Sequence, residues 1–353
     1  MKNQFIAIKA IITLVIIYSN VISFAQNYSL FDSDDPLEIT LVADVLSLIE
    51  DKSKEPKYAQ GLLIHHLKDN KINAFDIKVK ARGNTRRLTD LCDFPPLKLN
   101  FKKNSLRNTV FEGQDKLKFV SQCQQNVEYK NYVLEEYLLY KTYNIFTEKS
   151  YKVRLVNITI KDIKLRIPSI EMTGFLIEDD KSLAKRIGSK SFEEIIYSQD
   201  TCTETSVDRL AMFQFMIGNT DWYINTKHNT DIFKNKEDGS LIPVPFDFDF
   251  AGVINTNYAI PSNEIPITKV KQRFFKGSCR DVEALEITID LFNKNRQEIF
   301  SLYTEFKYLP KYIIKKSLKY YSKFYNIIND TALADASFNH MCKPSPFVSN
   351  KIY

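Results

Sequence analysis

Apolar and polar positions change period several times along this chain, and the changes mark out its elements. In "FDIKVKARGN", Ile77, Val79 and Ala81 alternate with Lys78, Lys80 and Arg82, the period of two expected of a half-buried strand, before a Gly-Asn turn. "PPLKLNF" alternates again, with Leu97, Leu99 and Phe101 against Lys98 and Asn100, and "KLKFVSQC" predicts a third strand. With the short extended run "DPLEITLVADVLSLIED", residues 35–123 read as mostly antiparallel sheet. The period then lengthens: Tyr129, Val133, Tyr137 and Tyr140 recur at three- and four-residue steps, predicting an amphipathic helix. "KVRLVNITI" and "TGFLIEDD" return to strand patterns, Gly174 opening the second. "SVDRLAMFQFMIGN" is apolar nearly all round and stops at Gly218, which predicts a buried helix. "NTDIF" and "LIPVPFDFDF" predict a hairpin turning through Lys234 to Ser240, and residues 281–306 and 308–330 predict two long helices with basic outer faces.

This order, β-rich with one helix and then α-rich with an inserted hairpin, predicts an α+β, bilobal architecture. Its expected divisions are a leader (1–25), a β-rich part (26–180) and a mainly helical part (181–353) carrying a candidate loop at 217–252.

Composition adds the compartment. Lys2 and Lys9 precede an apolar run ending at Ser23-Phe24-Ala25, the layout of a secretory signal peptide cleaved after Ala25. Tyr18, Ser19 and Asn20 interrupt that run well short of the ~20 apolar residues a transmembrane anchor needs. Loss of the leader lowers the net charge from +6 to +4, and the charges of both signs are interspersed, so no nucleic-acid partner is implied and nothing sets an oligomeric state. Cys92, Cys123, Cys202, Cys279 and Cys342 all follow the leader, where disulfides form. Cys92 and Cys123 flank two predicted strands and are the best pair; the odd count leaves at least one thiol free or intermolecular.

Chemistry concentrates in "IGNTDWYINTKHNTDIFKNKEDGSLIPVPFDFDFAG", residues 217–252. Asp221 follows a buried helix. Asp247 and Asp249 alternate with Phe246, Phe248 and Phe250, so on a strand both carboxylates would share one face, a repulsion that a cation relieves. A lysine on a strand, a helix offering a glutamate, then Asp and Asn on a loop and Asp after a hairpin is the order of parts in phosphoryl transfer from ATP. Polyphosphate requires a fixed cation, and magnesium requires hard oxygen ligands. His65, His66 and His228 have no partner at metal-ligand spacing and read as loop or solvent residues, Trp222 as a core or lip residue.

"KARGN", "PPLKLNF", "TGFLIED", "MIGNTDW" and "PFDFD" resemble, in order, motifs of the spore-coat CotH kinase family over residues 75–255, and the flanking segments are similar to those of exported Bacteroidetes proteins. The resemblance implies a bilobal protein-kinase-like fold, ATP and magnesium as cofactors, and a protein or cell-surface acceptor. It gives Asp221 the part of the catalytic-loop carboxylate, Asn225, Asp247 and Asp249 the metal, and Lys98 the phosphates. Glu135 would pair with Lys98, with Glu136 and Glu128 as alternatives. Arg82, Gly83 and Asn84 fall where a turn would cover the phosphates, and Glu178 in the segment joining the lobes. The turn has a single glycine, and Asn225 follows Asp221 by four residues where kinases use five. The other readings are a non-catalytic cell-envelope binding protein of the same family and a glycosyltransferase holding its metal through the DxD of "FDFDF".

Overall fold

The alternating segments do become strands, but they close on themselves. In the computed structural model, which describes residues 29–83, 85–88, 91–280 and 282–339, seven strands form a barrel in the order β1-β2-β3-β4-β5-β7-β6. They are β1 (Leu37–Ala43), β2 (Ala59–His66), β3 (Ile72–Ala81), β4 (Leu97–Phe101), β5 (Lys116–Val120), β6 (Val153–Asp162) and β7 (Ile170–Ile177). The leader, Asn84 and Cys342 lie outside the described residues. Closure is made by β1, antiparallel to β2 and parallel to β6, with Leu37 opposite Val156 and Ala43 opposite Asp162. Val45 N–H donates to Asp162 Oδ1 at 2.9 Å across the same seam. The expected bilobal, protein-kinase-like fold with an antiparallel N-terminal lobe is therefore corrected to a closed mixed barrel followed by a small second sheet and helices. Side-chain alternation reports which strands are half-buried, but it carries no information about a parallel partner more than a hundred residues away.

Two cores result. Leu41, Leu63, Val79, Leu99, Leu117 and Phe119 fill one, inside the barrel. The other forms on the barrel's outside, where Val153, Leu155, Phe175 and Ile177 meet α3 (Val127–Phe146); α3 follows α1 (Val45–Glu50) and α2 (Thr85–Leu88) in the chain. Asn126 caps α3, accepting from Tyr129 N at 3.1 Å. Next come α4 (Asp180–Arg186), β8 (Ser189–Ser191), α5 (Glu204–Ile217), β9 (Thr230–Asn235) and β10 (Leu241–Pro245), the three strands pairing as β10-β9-β8. The run expected as one helix over 281–306 is two, α6 (Glu286–Lys294) and α7 (Arg296–Thr304), separated at Asn295; α8 (Lys311–Ile328) and α9 (Thr331–Phe338) complete the chain.

Cys92 and Cys123 are bonded, Cys279 is disulfide-bonded too, and Cys202 is a free, buried thiol. Among the described residues no helix is long and apolar enough to cross a membrane.

Candidate active-site cleft

Helix α5 stops at Gly218, whose left-handed backbone (φ 69°) reverses the chain. Asn219 then accepts from Asp221 N at 3.0 Å and sets the next turn. The loop returns on itself: Tyr223 and His228 exchange two backbone hydrogen bonds of 2.9 Å, and Lys227 and Asn229 take left-handed φ values of 53° and 49°. This folds His228 and Asn229 onto Asp221. His228 Nε2 lies 2.8 Å from Asp221 Oδ1, and Asn229 Nδ2 donates to Asp221 Oδ2 at 3.0 Å and to its backbone oxygen at 2.8 Å. Asn225 is not brought to the carboxylates. It is exposed, bonds its neighbour Thr226 N, and lines a separate cavity with Trp222 and Lys276. The amide beside Asp221 is Asn229, eight positions on.

The hairpin β9–β10 closes the gap to the second acidic pair: Phe246 N donates to Asn229 O at 3.0 Å, so Asp247 emerges beside the Asp221 loop. Strand β10 ends at Pro245, and the alternation expected of "FDFDF" on a strand is replaced by a turn. Asp247 has φ 60° and donates its N–H to Tyr140 Oη at 2.9 Å, while Phe248 is fully buried against Tyr140, ring centroids 4.7 Å apart. Asp249 Oδ2 accepts from Arg86 at 2.6 and 3.2 Å and from Tyr258 Oη at 3.2 Å; the same guanidinium reaches Glu136 at 3.3 Å. Burial, and then repulsion from Asp249, pushes the Asp247 carboxyl up to about 6. The Glu136 carboxyl is also pushed up, chiefly by burial, with Arg86 opposing.

The strand lysine and helix glutamate differ from expectation. Lys98 does not line the cleft: its ammonium sits 3.8 Å from Asp179, and burial lowers its pKa. Its cross-strand neighbour Lys118 lines the cleft instead, bonded to Asp180 at 2.6 Å and lying over the Tyr151 and Phe246 rings at 5.0 and 5.3 Å. Glu135 turns away from Lys98 and accepts from Ser317 of α8 at 3.3 Å; of the three candidate glutamates, Glu136 is the one in the cleft, with Arg86 as its partner. Glu178 is held outside the cleft by Arg186 (2.7 Å) and by Lys152 N (3.2 Å). Arg82 and Gly83 line the cleft, Gly83 with φ 82°. Reading the sequence missed Lys118, Arg86, Glu136 as the cleft-facing member of its pair, and the His228–Asn229 pair. Only Lys118 carried a local signal, as a polar position in the alternating "KLKFV".

The cleft has a volume of about 370 Å³. Its lining is mixed: Leu91, Pro96, Val120 and Ile177 are apolar, and Asp221, Asp247, Asp249 and Glu136 stand with Arg82, Arg86 and Lys118. A larger depression of about 640 Å³ lies over the outer faces of β1, β6 and β7 and gathers none of these groups. In comparison with known proteins, no family model matches the chain and no curated protein matches it.

Proposed function

We propose that the cleft binds a magnesium–nucleoside triphosphate, ATP, and transfers the terminal phosphoryl group to a hydroxyl of an exported protein or cell-envelope acceptor. The observation that carries this reading is the convergence of Asp221, oriented by His228 and Asn229, with Asp247, Asp249 and the cations Arg82 and Lys118 on one amphipathic cleft. The apolar lining residues suit a base, and the cations suit a polyphosphate. Asp221 and Phe250 also wall a second cavity of about 270 Å³, lined by Ile260, Pro261, Ser262, Asn263 and Val270. An acceptor hydroxyl entering there meets Asp221, which lines both cavities. Asp221 takes its proton, the new O–P bond forms, and the bond to the nucleoside diphosphate breaks.

The donor set fits magnesium. Among the described residues the Asp247 carboxylate has no hydrogen-bond or ion-pair partner, and Asp249 Oδ1 and Asn229 Oδ1 are unengaged. Two carboxylates and an amide are hard oxygen donors that leave room for waters and phosphates, as magnesium prefers. No three His, Cys, Asp or Glu side chains among the described residues form a dedicated cage. Bound there, the ion would neutralise phosphate charge. The Cys92–Cys123 bond supports an oxidising compartment, in keeping with the leader.

A second reading, a non-catalytic binding protein, is favoured by one observation: Arg86 already neutralises Asp249 and Glu136. Calorimetric titration of residues 26–353 with ATP, with and without magnesium, separates the two. Saturable, magnesium-dependent binding, weakened at least about tenfold in Asp247→Ala, and phosphate transfer lost in Asp221→Asn with binding retained, are the expected results. Metal-independent ATP binding without transfer supports the second reading, and stabilisation by a nucleotide-sugar but not ATP overturns both.

A further inference from the structure

The segment following the second cavity carries two cations that reach back to the end of α5. Arg273 donates to the carbonyls of Phe215 (3.0 Å) and Met216 (3.1 Å) and to that of Tyr320 (2.7 Å), with its guanidinium 3.7 Å from the Tyr320 ring centre. Lys276 donates to the carbonyls of Thr220 (2.8 Å) and Trp222 (2.7 Å), the two that flank Asp221. Its ammonium also stands 3.4 Å from the Tyr223 ring centre and 5.3 Å from that of Trp222. Tyr223 is itself fixed, donating from its hydroxyl to Glu264 at 2.6 Å. The chain beside Lys276 packs closely on α5: a Cβ at the adjacent Gly277 would come within 2.9 Å of Ala211 and within 2.4 Å of the Phe275 ring.

A half-buried ammonium that contacts carbonyls and ring faces, with no carboxylate in an ion pair among the described residues, gives up hydration for a specific arrangement of backbone. We propose that Lys276 is the positioning residue for Asp221, clamping both peptide carbonyls beside it so that its carboxylate is held against an incoming hydroxyl. This rests on the reading of Asp221 as the proton acceptor. With Asp221 bound on one side by His228 and Asn229, the clamp fixes its backbone on the other, and a displacement of about 1 Å at such a group costs on the order of 100-fold in rate.

The charged and titratable groups around the ammonium are Asp221 and Glu264, which favour its charged form, the Tyr223 phenol, His228 beyond Asp221 and Arg273 on its own segment. Burial outweighs the two carboxylates and lowers Lys276 to about 8, so the charged clamp is present at neutral pH and is lost as pH rises through that value.

Trp222 is the sole tryptophan of the chain, so its emission reports on this loop directly. On residues 26–353, wild type is expected to show an emission change between pH 6.5 and 9 with a midpoint near 8, absent in Lys276→Met and in Lys276→Arg. His228 is present in all three proteins, so any change it causes survives the substitutions. In phosphate transfer from ATP, Lys276→Met is expected to lose about 100-fold in kcat with KM for ATP within about threefold, and Lys276→Arg to recover at least tenfold of that loss. Persistence of the midpoint near 8 in Lys276→Met, or a kcat within about threefold of wild type, overturns the proposal. If wild type transfers no phosphate, the phosphotransfer reading has failed and the emission comparison alone decides the clamp. If circular dichroism shows Lys276→Met unfolded, Lys276→Arg carries the test: it overturns the clamp if it keeps the midpoint near 8 and supports it otherwise.

Discussion

Glu135 and Glu136 are neighbours on α3 and face different environments: Glu136 enters the cleft against Arg86, while Glu135 is buried against Ser317 of α8. A 100° step per residue makes this unavoidable, since adjacent positions cannot share a helix face. Burial raises the Glu135 carboxyl from its usual 4.5 to about 8, against the pull of Lys316 and Ser317. Below pH 4.5 the group is protonated in folded and unfolded chains alike. As pH rises from 4.5 to 8 only the unfolded chain ionises, so stability falls across that window and stops falling above it. Glu135→Gln keeps an acceptor for Ser317 and removes the penalty. Urea unfolding is expected to give the variant a stability within about 1 kcal/mol of wild type at pH 5 and about 2–4 kcal/mol greater at pH 8; an equal difference at both values refutes the assignment. The choice between these glutamates was not legible in the sequence. Helix α3 is buried on nearly every side, so its pattern of tyrosines and leucines does not mark which acid meets α8 and which meets a cleft. Asp221, Asp247 and Asp249 were legible, each standing where an apolar run meets a turn. His228 and Asn229 were not, because their contact with Asp221 depends on left-handed residues inside the loop.

At the level of elements, the segment from Arg82 to Pro96 presents two of the cleft's cations, and two devices hold it. Arg87 is buried and donates to the carbonyls of Gly83 (3.0 Å), Asp51 (2.9 Å) and Ser53 (2.7 Å), while Cys92 is bonded to Cys123, 31 residues away and just before α3. Closing a loop of that length restricts the unfolded chain by about 2–4 kcal/mol. Cys92→Ser with Cys123→Ser is expected to lower stability by that amount in urea unfolding and to weaken ATP binding severalfold, because Arg82 and Arg86 lose their fixed base. Unchanged affinity in a folded double variant counts against the segment as a phosphate-binding element. The pairing was legible from the flanking strands, as were β3, β4, β5, α3, α5 and the β9–β10 hairpin. Strand β2, "AQGLLIHH", was not: its glycine and paired histidines break the alternation that marks the others. The break between α6 and α7 at Asn295 was equally invisible, because the apolar spacing continues across it.

Across the whole molecule, the barrel and the helices share a core, although the sequence suggested a division near residue 180. Val153, Leu155, Phe175 and Ile177 belong to barrel strands and pack with Leu134, Tyr137 and Leu138 of α3 and with the residues of α5 and α8. A polar network spans the same junction: Lys118 of β5 and Tyr151 before β6 both bond Asp180 at the start of α4, and Tyr151 also donates to Asp231 of β9. Removal of residues 181–353 would expose the side of α3 that faces α5 and α8, at about 1.5–3 kcal/mol for each large apolar side chain, which exceeds the 5–15 kcal/mol stability typical of a domain after only a few of them. The barrel and the helical part should therefore unfold together. Far-UV circular dichroism, dominated by the helices, and emission of Trp222, seated beside the cleft, are expected to give coincident urea transitions, and the fragment 26–180 is expected to fail to fold in isolation. Two separated transitions, or a soluble, cooperatively melting 26–180 fragment, would show that the barrel is an independent domain. The cleft would then be a junction between mobile units, and its carboxylates and cations would not be held in register by a common core.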